Sequence, residues 1–362
     1  MTSHPYDRLT PELILDAVET QGMRCTGVLL PLNSYENRVY RVDIDDDGDT
    51  HGRASVAGDT TSGMEEVEPR REQRPSTPEA TQVAVKFYRP ERWDDRQILE
   101  EHAFARELAE QEIPAVAAMP GVDGLTLHHY QGFRFALFPW CRGRAPELHS
   151  PDDRRRLGRY LARLHRVGAA SPFRHRERLT VESYGHRSVE LLRASPFIPP
   201  PLHASYFAIA DILLQRLDEC FAHTGDLAWI RVHGDFHLGN ILWTETGAHL
   251  VDFDDSLMAP AVQDLWMLLS GEAAEMETQL ADILEGYSEF RDFDVSELRL
   301  IEPLRTLRML RYSAWIAARW SDPAFPRTFP WFDSNRYWEE QVLALKQQLA
   351  ALDEPTLTWQ HR

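Results

Sequence analysis

The stretch His233-Gly234-Asp235-Phe236-His237-Leu238-Gly239-Asn240, followed by Val251-Asp252-Phe253-Asp254, decides how this chain folds. It places an asparagine five residues after Asp235, and Asp252 twelve residues beyond that. The apolar run Ile241-Leu242-Trp243 lies between them, and the strand-like Ala248-His249-Leu250-Val251 leads into Asp252. Phosphoryl transfer needs groups of this kind. One carboxylate orients an attacking hydroxyl and accepts its proton, while an amide oxygen and a second carboxylate hold the magnesium that bridges the nucleotide phosphates. Asp235 is therefore the candidate base. Asn240 and Asp252 are candidate Mg2+ ligands, both being hard oxygen donors, and Asp252 counts with Asp235 as catalytic. A lone Asp-x4-Asn would be chance; the ordered set is not.

Upstream, Val83-Ala84-Val85-Lys86-Phe87-Tyr88 reads as a buried strand interrupted by one cation. Only two lysines occur, Lys86 and Lys346, among 39 basic residues. A lysine in such a strand needs an anionic partner, because an unpaired buried charge is costly. The reading is contact with ATP phosphates and an ion pair to a glutamate on the next helix, Glu101 on its apolar side, with Glu100 as the reserve. A snorkelling edge-strand lysine is the bland alternative, and the downstream loop weighs against it. Between strands at 28–30 and 38–42, the glycine-free connection Pro31 to Asn37 sits where a phosphate-covering loop belongs. Its amides and the Ser34 hydroxyl are candidate phosphate donors, although an ordinary polar hairpin would read the same. Phe138, Pro139 and Trp140 fall at a hinge, where Phe138 and Trp140 are placed to stack on adenine.

Working outward, residues 8–20 predict a helix with Thr10 as N-cap and Pro11 in its first turn. Residues 96–112 predict another, and a strand pair follows at 125–128 and 133–138. Helical patterns dominate beyond: 151–166, 203–224, 261–269, 276–289, 296–320 and 336–352. Residues 321–332 are proline-punctuated and predict an ordered loop, and the tryptophans around them predict core packing. Residues 45–82 hold almost no large apolar side chain, so they cannot offset their ordering entropy and predict a disordered insertion. The fold class is α+β, with a small antiparallel-sheet lobe over 1–139 and a larger helical lobe over 140–362 carrying the catalytic loop.

A chain of 362 residues with 43% hydrophobic residues supports two packed lobes. No apolar run reaches the ~18 residues that span a bilayer, and the N-terminus lacks the features of a secretion signal. Cys25, Cys141 and Cys220 are far apart, consistent with free thiols in a reducing cytoplasm. A net charge of -18 argues against nucleic acid as a partner. His233 and His237 do not make a zinc site, because Gly234 disfavours a helix there and no third ligand is suitably spaced. Asp254 and Asp255 either assist the metal or cap the helix after Pro260, with capping the favoured reading, and Asp264 is read as a brace beneath the loop.

The pattern His-Gly-Asp-x-His-x-x-Asn followed by Asp-Phe-Asp resembles the aminoglycoside phosphotransferase and choline kinase group, whose fold is protein-kinase-like. More narrowly, PLNSYENRVYRV, VAVKFYRPERW, QILEEHAFA, HGDFHLGNILW, APAVQDLWMLLSG, IEPLRTLRM and RWSDPAFPRTFPWF are similar to bacterial stress-response kinases within that group. The likeness runs through most of the chain except residues 45–82. It implies a cytoplasmic, ATP- and Mg2+-dependent serine/threonine protein kinase linked to stress survival; a monomer acting on protein substrates with Ser or Thr acceptors is expected. It also implies an ATP-site role for Ser34, the catalytic role for Asp235, and metal binding by Asn240 and Asp252. The insertion departs from the family pattern and offers Ser55, Thr60, Thr61, Ser62 and Thr77 as autophosphorylation sites. Two rivals stand beside this reading. One is a small-molecule kinase, for which an acidic chain suits a cationic acceptor; the other is a binding module without turnover, which the complete set of polar anchors disfavours.

Overall fold

A computed structural model describes residues 6–32, 34–45, 81–148, 150–222, 227–244 and 247–359. The N-terminal part is built from α1 (Pro11–Glu19), β1 (Cys25–Pro31), β2 (Arg38–Ile44), β3 (Thr81–Phe87), α2 (Asp95–Glu110), β4 (His128–Tyr130) and β5 (Phe133–Pro139). Thr10 caps α1 by accepting from Leu13 N, as its sequence position predicts. The five strands form one antiparallel sheet in the order β1-β2-β3-β5-β4. Side chains alternate across β3. Val83, Val85 and Phe87 pack with Ile14, Ala17 and Val18 of α1 on one face, each large apolar side chain contributing about 1.5–3 kcal/mol when fully buried. Period two therefore sends Ala84 and Lys86 to the other face, toward the helical part.

The expected strand at 125–128 is instead β4, three residues further along. Gln131 and Gly132 both have positive φ, 46° and 86°, and this two-residue turn pairs Tyr130 with Phe133 and His128 with Phe135. β3 begins at Thr81, inside the stretch expected to be disordered. The remainder of that expectation, residues 46–80 with the acceptor sites named on them, lies outside the described residues.

After β5 come α3 (Pro151–Gly168), a π-helical turn at Val181–His186, α4 (Arg187–Ala194), α5 (Pro200–Ala222), β6 (Ile230–Val232), β7 (Ile241–Thr244), β8 (Gly247–Leu250) and β9 (Leu257–Ala259). Then follow α6 (Val262–Trp266), α7 (Ala273–Tyr287), α8 (Ile301–Arg319), α9 (Ala324–Thr328) and α10 (Asn335–Ala351). Two short antiparallel pairs, β6 with β9 and β7 with β8, frame the decisive stretch. Helix α6 is shorter than the expected 261–269, and α9 occupies part of the expected loop at 321–332. Phe325, Phe332 and Trp338 are fully buried, and Trp315 and Trp320 pack partly buried against the same core, whereas Trp331 is 40% exposed. The helical core joins Leu157, Leu161 and Leu164 of α3 to Leu280, Ile283 and Leu284 of α7. No helix among the described residues is long and apolar enough to cross a membrane, and the three cysteines are free.

Candidate active site

β6 delivers the chain into His233 at the floor of a cleft between sheet and helices. Gly234 has φ +84°, and a Cβ there would stand 2.1 Å from Asp255 O, so only glycine fits the turn. Asp264 on α6 receives both backbone donors of the turn, His233 N at 2.8 Å and Gly234 N at 2.8 Å. Gln263 Nε2 donates to Gly234 O at 2.9 Å. Asp264 also faces buried His165 Nε2 at 3.2 Å, while His165 Nδ1 meets Tyr287 OH at 3.0 Å. Burial holds the His165 imidazole below its usual pKa. His233 Nε2 lies 3.0 Å from Val251 O, and the backbone N–H of Asp235 donates to His233 Nδ1 at 3.4 Å. The residue before Asp252 is thus tied to the loop bearing Asp235.

Asp235 is held on both oxygens. Arg308 Nη1 of α8 lies 2.8 Å from Oδ1, and His237 Nε2 lies 3.3 Å from Oδ2. Burial works to raise the pKa of this carboxyl, but His237 and Arg308 outweigh it and hold the group well below the usual carboxylate range. Asn240 Nδ2 donates to Asp235 O at 3.0 Å and to Oδ2 at 3.3 Å. With its nitrogen committed to the loop, Asn240 keeps Oδ1 for a cation.

Asp252 sits in the left-handed region at φ 61° and ψ 62°, a conformation that costs a non-glycine residue free energy and collects at functional sites. Lys86 Nζ reaches Asp252 Oδ1 at 3.2 Å, Asp254 Oδ1 at 3.1 Å and Glu101 Oε1 at 3.7 Å. Burial alone would depress the lysine pKa; Asp254, Glu101 and Asp252 together raise it well above its usual value. Glu101 lies on the buried stripe of α2, with Ile98, Phe104, Ala105 and Leu108. Glu100 does a different job, accepting the backbone N–H groups of Arg174, His175 and Arg176 at 2.7, 2.9 and 2.9 Å.

Asp254 and Asp255 do not cap α6, whose N-cap position Ala261 has no side-chain bond. They pair instead with Arg92, Asp254 very closely and Asp255 at 2.6 Å. Arg176 adds a bond to Glu101 Oε2 at 3.2 Å and donates to the carbonyls of Asp254 and Ser256. Four carboxylates, Glu101, Asp252, Asp254 and Asp255, therefore face three cations, Lys86, Arg92 and Arg176. Asp252 is the most exposed of the four, its side chain 56% open against 40% for Asp255.

Above this cluster opens a cleft of about 540 Å3. Leu32, Ser34, Val39, Ala84 and Lys86 line it from the sheet side, Phe138 and Trp140 at the chain crossing, and Asn240, Leu242 and Asp252 from below. The structure thus brings Ser34, Lys86, Glu101, Phe138, Trp140, Asn240 and Asp252 to one cavity. Asp235 stands just outside its lining, one hydrogen bond away through Asn240. The Ser34 hydroxyl donates within its own loop, to Asn37 O at 3.1 Å.

The chain matches the phosphotransferase enzyme family over residues 28–301. It belongs to that family. Stress response kinase A of Escherichia coli (strain K12) is 41% identical over 352 residues, covering 97% of this chain and 96% of the relative. The serine/threonine protein kinase RdoA of Salmonella typhimurium matches at the same 41%, with the same coverage. Among solved structures, the amicoumacin kinase hAmiN in complex with AMP-PNP, Ca2+ and Ami has a TM-score of 0.63 at 17% identity and covers 94% of both chains. That likeness carries the kinase-like fold, a five-stranded antiparallel sheet before a mainly helical part.

For a member of the phosphotransferase enzyme family, several residues at the site were not legible beforehand. Arg92, Arg176 and Arg308 carried no signal among so many arginines. His102 lines the cleft with Nε2 2.6 Å from Tyr88 OH and Nδ1 2.8 Å from Thr126 Oγ1; burial takes its pKa down to about 3. Among the described residues no group of three or more His, Cys, Asp or Glu is disposed to hold a metal by itself. One exposed carboxylate and one amide oxygen beside a cavity instead fit an ion bound jointly with phosphates, which is how Mg2+ is usually held.

Proposed function

We propose that this chain is an ATP- and Mg2+-dependent serine/threonine protein kinase of the stress-response type, moving the γ-phosphoryl group to Ser and Thr hydroxyls, its own included. The observation that carries the reading is the meeting of Lys86, Asn240 and Asp252 at one cleft with Asp235 at its edge. Lys86 is aimed to receive nucleotide phosphates while Glu101 and Asp254 keep it charged and in place. Asn240 and Asp252 would hold Mg2+, which on binding neutralises charge on the phosphates. Asp235 orients the acceptor hydroxyl and takes its proton, the strongly held anion acting through position more than basicity. Val39, Ala84, Phe138, Leu242 and Trp140 give the apolar walls an adenine needs. The two lobes divide at Pro139–Trp140 in this reading, and the protein works as a cytoplasmic monomer.

The rival is a kinase for a small cationic alcohol, which the acidic net charge alone would suit. Arg308 weighs against it: the cation nearest the proposed base is half exposed and would repel a polycationic acceptor. Incubation with labelled ATP and Mg2+ tests the choice. Label in this chain or in protein substrates, lost in Asp235→Ala, supports the protein-kinase reading. Transfer only to small alcohols would replace it.

A further inference from the structure

The loop over the cleft contains no glycine, yet it is held down from outside by residues nearly three hundred positions away. Glu36, two residues after Ser34, is largely covered, its side chain 12% exposed. Its two oxygens receive Arg319 Nε at 2.8 and 2.6 Å, and one also receives the indole N–H of Trp315. Arg92 Nε and Arg89 Nε stand 3.7 and 3.8 Å from the same carboxylate. Burial opposes that charge, but Arg92 and Arg319 hold the carboxyl below its usual range. Immediately after the loop, Arg38 Nη2 meets both oxygens of Asp322 at 3.0 Å. Arg89 Nη1 meets Asp322 at 2.8 Å, and the Arg89 backbone N–H donates to Asn37 Oδ1 at 3.0 Å. Asp322 is fully buried at the turn between α8 and α9, and Tyr35 packs edge-on against Phe329, centroids 5.5 Å apart.

Given the nucleotide site proposed above, we propose that Glu36 and Asp322 are positioning residues for ATP, clamping the loop that carries Ser34 shut against the α8–α9 segment. A glycine-rich loop gains its grip by moving onto the phosphates; this one is set in place before they arrive, so less ordering remains to be done on binding. The clamp also reaches the metal motif. Arg92 faces Glu36 with Nε while its two terminal nitrogens pair with Asp254 and Asp255, and Asp254 pairs with Lys86. One continuous chain of charges, Glu36–Arg92–Asp254–Lys86, thus links the loop above the phosphates to the lysine beneath them. Loosening the clamp should weaken nucleotide binding and leave the transfer step itself largely alone.

The test is the dissociation constant of a non-hydrolysable ATP analogue with Mg2+, beside kcat and KM for ATP, in Glu36→Gln and Asp322→Asn. Each should weaken binding about tenfold or more, because a charge-assisted network is cut, with kcat at saturating ATP within about threefold of wild type. The double variant should lose less than the product of the singles, because both act on one clamp. Arg216→Gln removes an ion pair with Asp353 on the far surface and should leave the dissociation constant unchanged. Should the carboxamide variants not fold, Trp315→Phe keeps the ring, removes one bond to Glu36, and decides the matter with a smaller shift of the same sign. Variants that bind nucleotide like wild type, with only their melting temperatures lowered, overturn this inference alone. A wild-type protein that binds no nucleotide overturns the functional reading and this inference with it.

Discussion

Two loops face each other across the cleft, and they are held in opposite ways. The lower one, His233–Asn240, is braced mainly by side chains nearer to it in sequence, with Arg308 on Asp235 the exception. Asp264 takes two of its backbone donors, Gln263 donates to its carbonyl, and His233 and Asn240 close bonds within it. The upper one, 34–37, owes its position to Trp315, Arg319 and Asp322, after nearly the whole chain has intervened. The lower loop's bonds are mostly to neutral backbone groups in a buried place, where an unpaired donor is expensive. The upper loop adds bonds between full charges, Glu36 with Arg319 and Arg92, beside an open cavity. On the function proposed above, the first arrangement would fix atoms for chemistry and the second would fix a lid for binding.

The sharpest break of that contrast is in the lower loop and its metal motif. Asp252→Ala removes the proposed metal ligand and should reduce turnover by about 10^3-fold or more, while the melting temperature changes little because this carboxylate is 56% exposed. Asp235→Ala should lower kcat by about 10^2- to 10^4-fold with ATP binding retained. Near-normal turnover in either variant would remove these residues from the mechanism. Asp264→Ala, which touches no substrate, should cost about 3–5 kcal/mol by leaving buried donors without an acceptor, read as a loss in denaturant midpoint. An unchanged midpoint would show the brace to be idle. The upper loop should respond the other way, its variants shifting nucleotide affinity more than kcat.

That division also governs what could be read from the chain. Asp235, Asn240 and Asp252 were legible because their geometry is local: five and twelve residues of spacing and one turn place them. Lys86 and Glu101 were legible because strand and helix periods point them inward, and β3 and α2 obey those periods. The first strand of the hairpin starts three residues later than expected, at His128, because the positive-φ pair Gln131-Gly132 keeps the pairing close to the turn. Asp254 was taken for a cap because its partner, Arg92, lies 162 positions away. Glu36 looked like any polar loop residue for the same reason. Pairings between distant charges leave no period in a sequence, and in an arginine-rich chain no single arginine stands out.

The smallest effect lies one step below the lower loop. Glu297 is buried, and its Oε2 accepts from Val262 N at 2.8 Å, at the start of the helix that carries Asp264. Burial pushes its pKa up to about 7, with the bond from Val262 N working against the rise. The folded protein then binds more protons than the unfolded chain between the ordinary glutamate value and pH 7. Stability from this group is therefore complete at the acid end of that window and is lost as pH rises through it, by on the order of 3 kcal/mol at most. Glu297→Gln keeps an acceptor for Val262 N but has no proton to lose. Its midpoint in urea, measured from pH 5 to 8, should fall less than that of wild type. Parallel curves for the two proteins would mean that Glu297 stays ionised in its pocket, and that the support under the catalytic turn carries no pH dependence of its own.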